Sequence, residues 1–415
     1  MTRDLRHNLA ALGADYGLFI VGLSFASQTT ILPAFAAHLG APNVVIGAIP
    51  AVMAAGWLLP ALFTAGHTET LTRKLPFVLR YTVWERAPLL VLAGAAFFLA
   101  DRAPAPTLGL LLVMLLVVTG VGGVLMPAWM DIIGRAIPVA LRGRFFALAN
   151  LAASAAGFAG GLLTERILAA VPAPAGYGVC FLLAASCMAG SFVALALVRE
   201  PAATPPATPV PLRAYLARVP ALLQRDRNLR AFLVARACAV VGMMAGGFYT
   251  VYALRVWEPP ASQVGLFTAL LLGGQMAGNA TLGWVADHAG HRLVIIAGVA
   301  ATVAANALAL VAPSLAVFGA VFVLWGVQVA AISVSNLAVL LEFAPTPDTR
   351  PTYVGLGTTA IAPVAFAAPL AAGLLADAVG LAAVFTTAGL AGVTALVLLV
   401  RGVRDPRTAS TKRAG

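Results

Sequence analysis

Twelve runs of about twenty apolar residues, six on each side of one polar segment, constrain this chain more than any other feature. They fall near 9–33, 44–64, 77–100, 107–130, 144–169 and 177–198, then near 229–254, 262–284, 293–311, 314–341, 352–376 and 381–401. At 1.5 Å per residue, each run as a helix crosses a hydrocarbon layer of about 30 Å. An isolated segment in lipid must pair its own N–H and C=O groups, so helices are expected throughout. Only 10% of the 415 residues are charged, and mean hydropathy is +0.95. A soluble domain carries about 25% charged residues. These values exclude a water-soluble class and predict an all-α membrane protein of twelve transmembrane helices.

The two sets of six are related. Ala156–Glu165 (AGFAGGLLTE) and Ala368–Asp377 (APLAAGLLAD) are weak copies in matching places. An offset of 218 residues sets Gly47 on Gly265, Glu69 on Asp287, Arg73 on His291 and Lys74 on Arg292. The expected organisation is a six-helix bundle over 1–198, a cytoplasmic linker over 199–228, a second bundle over 229–401 and a cytoplasmic tail over 402–415. The linker opens Pro-rich, as an extended tether would. Tyr215–Gln224 reads equally well as an amphipathic surface helix or as disordered linker.

Net charge is +11, and the basic residues gather between spans. With both termini inside, the outer loops hold only Arg102, Arg166 and Arg255, an asymmetry that places both termini in the cytoplasm. The excess then meets lipid headgroups rather than nucleic acid. The run after Arg3 and Arg6 is too long for a signal peptide and reads as a retained first span. Arg far outnumbers Lys and Ala is abundant, which points to a GC-rich bacterial source and its inner membrane. Cys180, Cys187 and Cys238 sit in apolar runs as small hydrophobes, without metal-ligand spacing.

Between the eighth and ninth runs lies Gly283–Arg292, GWVADHAGHR; its first-half counterpart is Ala65–Lys74, AGHTETLTRK. The later segment resembles the cytoplasmic loop motif of the major facilitator superfamily through Gly283, Asp287, Gly290 and Arg292. Span number, duplication and linker position extend the resemblance over essentially the whole chain. It implies two pseudo-symmetric bundles that work by alternating access without ATP, a small-molecule substrate, and a monomer in the lipid bilayer. Two charge clusters are expected to clamp the inner face: Glu69, Arg73 and Lys74 with Asp131, and Asp287 and Arg292 with Glu342. Ordinary solvated loop charges are the plain alternative. AGFAGG and APLAAG resemble the fifth-helix Gly/Pro motif of the superfamily's antiporters, although close helix packing accounts for small residues equally.

Ionisable residues inside spans are costly and therefore candidates for function. Asp15 and Arg236 stand at nearly equivalent places in the first and seventh runs. They are expected to share a water-accessible cavity as a switchable pair, with Asp15 the candidate for proton coupling; separate pairing or snorkelling is the alternative. Glu85 and Arg86 read as a packing ion pair in the third run. The resemblance makes the first, fourth, seventh and tenth spans the cavity lining. That selects Gln28, Trp129, Tyr249, Trp325, Gln328 and Asn336, for each of which helix packing is an equal alternative.

No phosphate-binding loop, zinc motif, C-x-x-C or nucleophile–base arrangement is present, so neither an enzyme nor a bound cofactor is expected. Aromatics and neutral amides with few buried charges suit export of a small amphipathic compound, with proton coupling open. Uptake of a sugar-like or other polar metabolite is a second reading. A non-transporting receptor or assembly partner on the same fold is a third.

Overall fold

The computed structural model describes residues 3–200, 222–344 and 350–405, so residues 201–221 of the linker and 406–415 of the tail lie outside it. It is all-helical, with no strand among the described residues. The first half comprises α1 (Arg3–Ser24), α2 (Ile31–His38), α3 (Asn43–Thr70), α4 (Leu75–Arg86), α5 (Pro88–Phe98), α6 (Pro104–Ala136), α7 (Val139–Ala170) and α8 (Ala175–Ala196). The second comprises α9 (Arg227–Gly242), α10 (Phe248–Trp257), α11 (Gln263–Ala289), α12 (His291–Val311), α13 (Leu315–Phe343), α14 (Arg350–Thr359), α15 (Ala362–Ala378) and α16 (Leu381–Val397), which continues as a π-helical turn, Leu398–Gly402. Among the described residues, eight segments are long and apolar enough to span a membrane. The pairs α1/α2, α4/α5 and α9/α10, with α11, complete twelve.

Four spans expected as continuous are broken, for identifiable reasons. Pro88 and Pro363 each lie at the start of a new helix. Proline has no N–H to give, and its ring crowds the carbonyl four residues earlier, here Trp84 or Thr359. The first span breaks at residues 25–30, among Ser27, Gln28, Thr29 and Thr30. The seventh breaks at residues 243–247, around Gly246 and Gly247. The 218-residue offset sets one break on the other, so the duplication extends to this irregularity.

The chain divides into two compact units. Unit 1 holds Met1–Pro42, Ala48–Pro211 and Pro259–Ala269; unit 2 holds Asn43–Gly47, Leu212–Glu258 and Leu270–Gly415. The core of unit 1 gathers Leu12, Val78, Ala128, Ile132 and Ile137. Unit 2 has one core around Leu229, Phe232, Val299 and Leu340 and another around Val294 and Ala330. Large side chains such as Phe63, Phe98, Val139 and Leu374 point outward, as a surface solvated by lipid requires.

The copied Gly-rich motifs are packing surfaces in their own units. In unit 1, a Cβ on Gly161 would stand 2.5 Å from Ala269 N, and one on Gly265 would stand 2.1 Å from Glu165 N. In unit 2, a Cβ on Gly47 would stand 2.2 Å from Pro369 O, and one on Gly373 would stand 2.6 Å from Asn43 O. Each motif copy therefore receives one of the repeat-related glycines Gly265 and Gly47. Backbones this close admit only glycine.

Candidate functional site

Unit 1 encloses a cavity of about 330 Å³. Its charged lining residues are Asp15 from α1 and Glu85 and Arg86 from α4. All three are nearly inaccessible: Asp15 is 2% exposed, Glu85 7% and Arg86 8%. The remaining wall is mostly apolar and aromatic, with Tyr16, Phe19, Trp57 and Trp129 among it.

The three charges form one network. Arg86 Nη2 donates to Asp15 Oδ1 at 3.1 Å, and Arg86 Nη1 donates to Glu85 Oε2 at 3.1 Å. Ser191 Oγ of α8 donates to Asp15 Oδ1 at 2.6 Å, and Trp129 Nε1 of α6 donates to Asp15 Oδ2 at 2.9 Å. Thr82 Oγ1, one turn before Arg86, donates to Glu85 Oε2 at 2.8 Å. The Arg86 guanidinium also lies 5.6 Å from the centre of the Phe19 ring. Four helices thus converge on a single guanidinium and two carboxylates. Such a cluster repays its desolvation only when its remaining polar atoms are also satisfied. Both oxygens of Asp15 are engaged. Glu85 Oε1 has no hydrogen-bond partner among the described residues, and it lies beside Gly122 and the Trp57 ring.

Tyr16 extends the polar wall. Its hydroxyl donates to Asn150 Oδ1 at 2.9 Å, and its ring stacks on Trp129 with centroids 5.9 Å apart.

The positions singled out from sequence fare differently. Trp129 lines the cavity and holds Asp15. Asp15 pairs with Arg86 rather than with Arg236, which belongs to unit 2 and makes no ion pair among the described residues. Glu85 and Arg86, read from sequence as a packing pair, are cavity walls. Gln28 is exposed in the turn that breaks the first span.

Tyr249, Trp325 and Gln328 lie in the interior of unit 2. Tyr249 is wholly buried, stacked on Phe385 at 5.5 Å and edge-on to Trp325 at 5.6 Å. Its hydroxyl donates to Asn306 Oδ1 at 2.9 Å. Asn306 Nδ2 in turn donates to Gly242 O and Thr302 O, so it satisfies the carbonyl where α9 ends. Gln328 Nε2 lies 3.2 Å from Met243 Sδ. Asn336 is half-buried on α13.

Of the two charge clusters, the first half-forms. Lys74 Nζ reaches Asp131 Oδ2 at 3.0 Å, and Arg135 joins the same oxygen at 2.7 Å. Arg73 is exposed, and the Glu69 side chain lies outside the described part. In the second cluster, no ion pair joins Asp287 to Arg292 among the described residues. Arg292 Nη2 instead donates to Leu399 O at 2.7 Å and Val400 O at 3.0 Å, carbonyls of the π-turn. Gly290 starts α12 at φ 96°, ψ 155°, a conformation essentially reserved for glycine. Gly283 lies within α11 with open space around it.

Sequence reasoning passed over Thr82, Ser191, Trp57 and Gly122. Two adjacent ionisable residues in an apolar run were the available signal for this wall, since lipid-embedded charge is seldom idle. Nothing in the sequence alone marks Ser191 as the partner of a residue 176 positions away.

Residues 253–415 match the sequence model of the Major Facilitator Superfamily. No curated protein matches the sequence. Among solved structures, the nucleoside transporter NupG shares 13% identity at a TM-score of 0.66, covering 94% of this chain and 98% of that one. A bacterial homologue of the human lysosomal transporter Spinster shares 15% at 0.66, covering 99% and 98%. A D-xylose–proton symporter shares 13% at 0.68, covering 96% and 98%. This multi-pass membrane protein thus shares the fold of these transporters over nearly its whole length, and its residues 253–415 match the superfamily's sequence model.

Proposed function

We propose that the chain is a secondary active transporter that moves a small organic solute by alternating access, with the unit 1 cavity on the solute's path. The carrying observation is the network of Asp15, Glu85 and Arg86, buried around an aromatic-walled hollow. Purely structural packing at this depth is cheaper with apolar side chains. The mostly apolar wall suits an amphipathic compound, and export in exchange for protons through the buried carboxylates is the working direction. The protein acts as a monomer in a bacterial plasma membrane with both termini in the cytoplasm.

Reconstitution into liposomes tests this reading. An imposed pH gradient should drive a fluorescent amphipathic dye across the membrane, and Asp15→Asn should abolish the gradient-driven component. Dye movement equal to that of empty liposomes, across a panel of dyes, would sink it. A strain lacking the protein should also become more sensitive to such dyes; normal resistance with failed growth on a single carbon source would favour uptake instead.

A further inference from the structure

The charge on the cavity wall does not balance. Two carboxylates, Asp15 and Glu85, face one guanidinium, Arg86, and among the described residues no other charged side chain lines the hollow. Asp15 is fully engaged: Oδ1 accepts from Arg86 and Ser191, and Oδ2 accepts from Trp129. Glu85 commits only Oε2, to Thr82 and Arg86.

The geometry around the other oxygen is specific. A Cβ built on Gly122 would stand 2.7 Å from Glu85 Oε1 and 2.6 Å from Trp57 Cη2. Glycine at this place on α6 therefore lets the carboxylate oxygen and the indole pack side by side against the helix backbone. Phe19 meets Trp57 edge-on, with centroids 6.3 Å apart. A surplus carboxylate in a low-dielectric hollow is neutralised by a proton or by a cation, and a solute cation can take the proton's place. Aromatic walls favour one that is organic and weakly hydrated, because ring faces attract cations.

We propose that Glu85 Oε1, with the Trp57 ring, forms the recognition point for an organic cation, an amine or quaternary ammonium carrying an apolar body. This rests on the transport reading for its biological meaning, but the site itself can be tested without transport. Glu85 supplies the charge, Trp57 and Phe19 the aromatic surface, and Gly122 the close packing that holds carboxylate and indole together. Arg86 and Asp15 neutralise each other and hold Glu85 in place. Anionic solutes would meet the same oxygen as repulsion.

Isothermal titration calorimetry on the purified full-length protein in detergent tests the proposal with three probes of similar size. Benzyltrimethylammonium should bind about tenfold or more tightly than neutral benzyl alcohol or anionic benzoate. Glu85→Gln should erase that preference while leaving benzyl alcohol binding in place. Should Glu85→Gln fail to fold, Trp57→Leu, which leaves the ionic network whole, should weaken the cation about tenfold. Equal binding of all three probes by the wild type, preference for benzoate, or a preference that survives both substitutions would overturn the proposal. Selective cation binding without movement of any solute in liposomes would instead defeat the transport reading and leave the site standing. Movement of neutral dyes without charge-selective binding would do the reverse.

Discussion

The interiors of the two units solve the same problem with opposite chemistry. Unit 1 carries an ionic network beside a hollow, in which Asp15, Glu85 and Arg86 converge from two helices and are steadied by Ser191 and Trp129. Unit 2 carries a neutral cluster across its seventh, ninth and tenth spans, where Tyr249 packs among Phe322, Trp325 and Phe385 and Asn306 ties its hydroxyl to the end of α9; the charge of Arg236 in the same seventh span has no place in that cluster. Both units keep a break in their first span at the repeat-related place. The backbone irregularity has thus survived duplication while the side chains around it have diverged. Charge lines a hollow in unit 1, whereas aromatic rings pack on one another around Tyr249 in unit 2.

The hinge of this contrast is whether polar groups are there for ligand or for fold. The largest effect is expected at Arg86. Arg86→Leu leaves two buried carboxylates without their cation and should cost about 3–5 kcal/mol, read by thermal unfolding in detergent. A cost below about 1 kcal/mol would mean that the network is solvated and would weaken the contrast with unit 2.

Asn306→Leu is next. It releases the Gly242 and Thr302 carbonyls and orphans the Tyr249 hydroxyl, for about 2–3 kcal/mol, and should slow transport only as far as it unfolds the protein. A loss of transport at unchanged stability would make unit 2 a second functional interior.

Smaller effects are expected where carboxylates cap helices from a distance. Glu200 accepts from Lys74 N at 2.6 Å and Leu75 N at 3.2 Å at the start of α4. Asp377 accepts from Asn43 N and Val44 N, both at 2.9 Å, because Pro42 offers α3 no side-chain cap. Glu200→Ala and Asp377→Ala should each cost about 1 kcal/mol in the same unfolding assay. The smallest change is predicted for Arg236→Met. The Nη1 atom of Arg236 is buried without a hydrogen bond, so an apolar chain of similar length should leave the unfolding temperature unchanged or slightly higher. A clear drop would show that Arg236 has a partner that counts, and the charge asymmetry between the units would narrow.

Reading residues against structure separates two kinds of information. Gly290 was legible because its reason is a local backbone angle, and Gly47 and Gly265 were legible as repeat partners, although the backbones they meet, at Pro369 and Glu165, are distant in the chain. The Asp15–Arg86 pair was not, since an acid on the first span faces several helices and only packing selects one. Asn8 makes the same point. It exchanges hydrogen bonds with the Arg199 backbone, as Asn228 does with that of Arg404, so each half ties the start of its first span to the end of its sixth. The N-L pairs at 8–9 and 228–229 were visible in the sequence, but nothing linear names their partners.

By itself the sequence determined the solvent of the fold, the helical character, the number of spans and their duplication, because hydrophobic length and periodic composition are properties of contiguous residues. Tertiary structure alone decided which buried charge meets which, where a hollow is left, and which aromatics close ranks. Those outcomes depend on how helix faces rotate into contact, and a linear chain of apolar runs permits many rotations that differ only in packing.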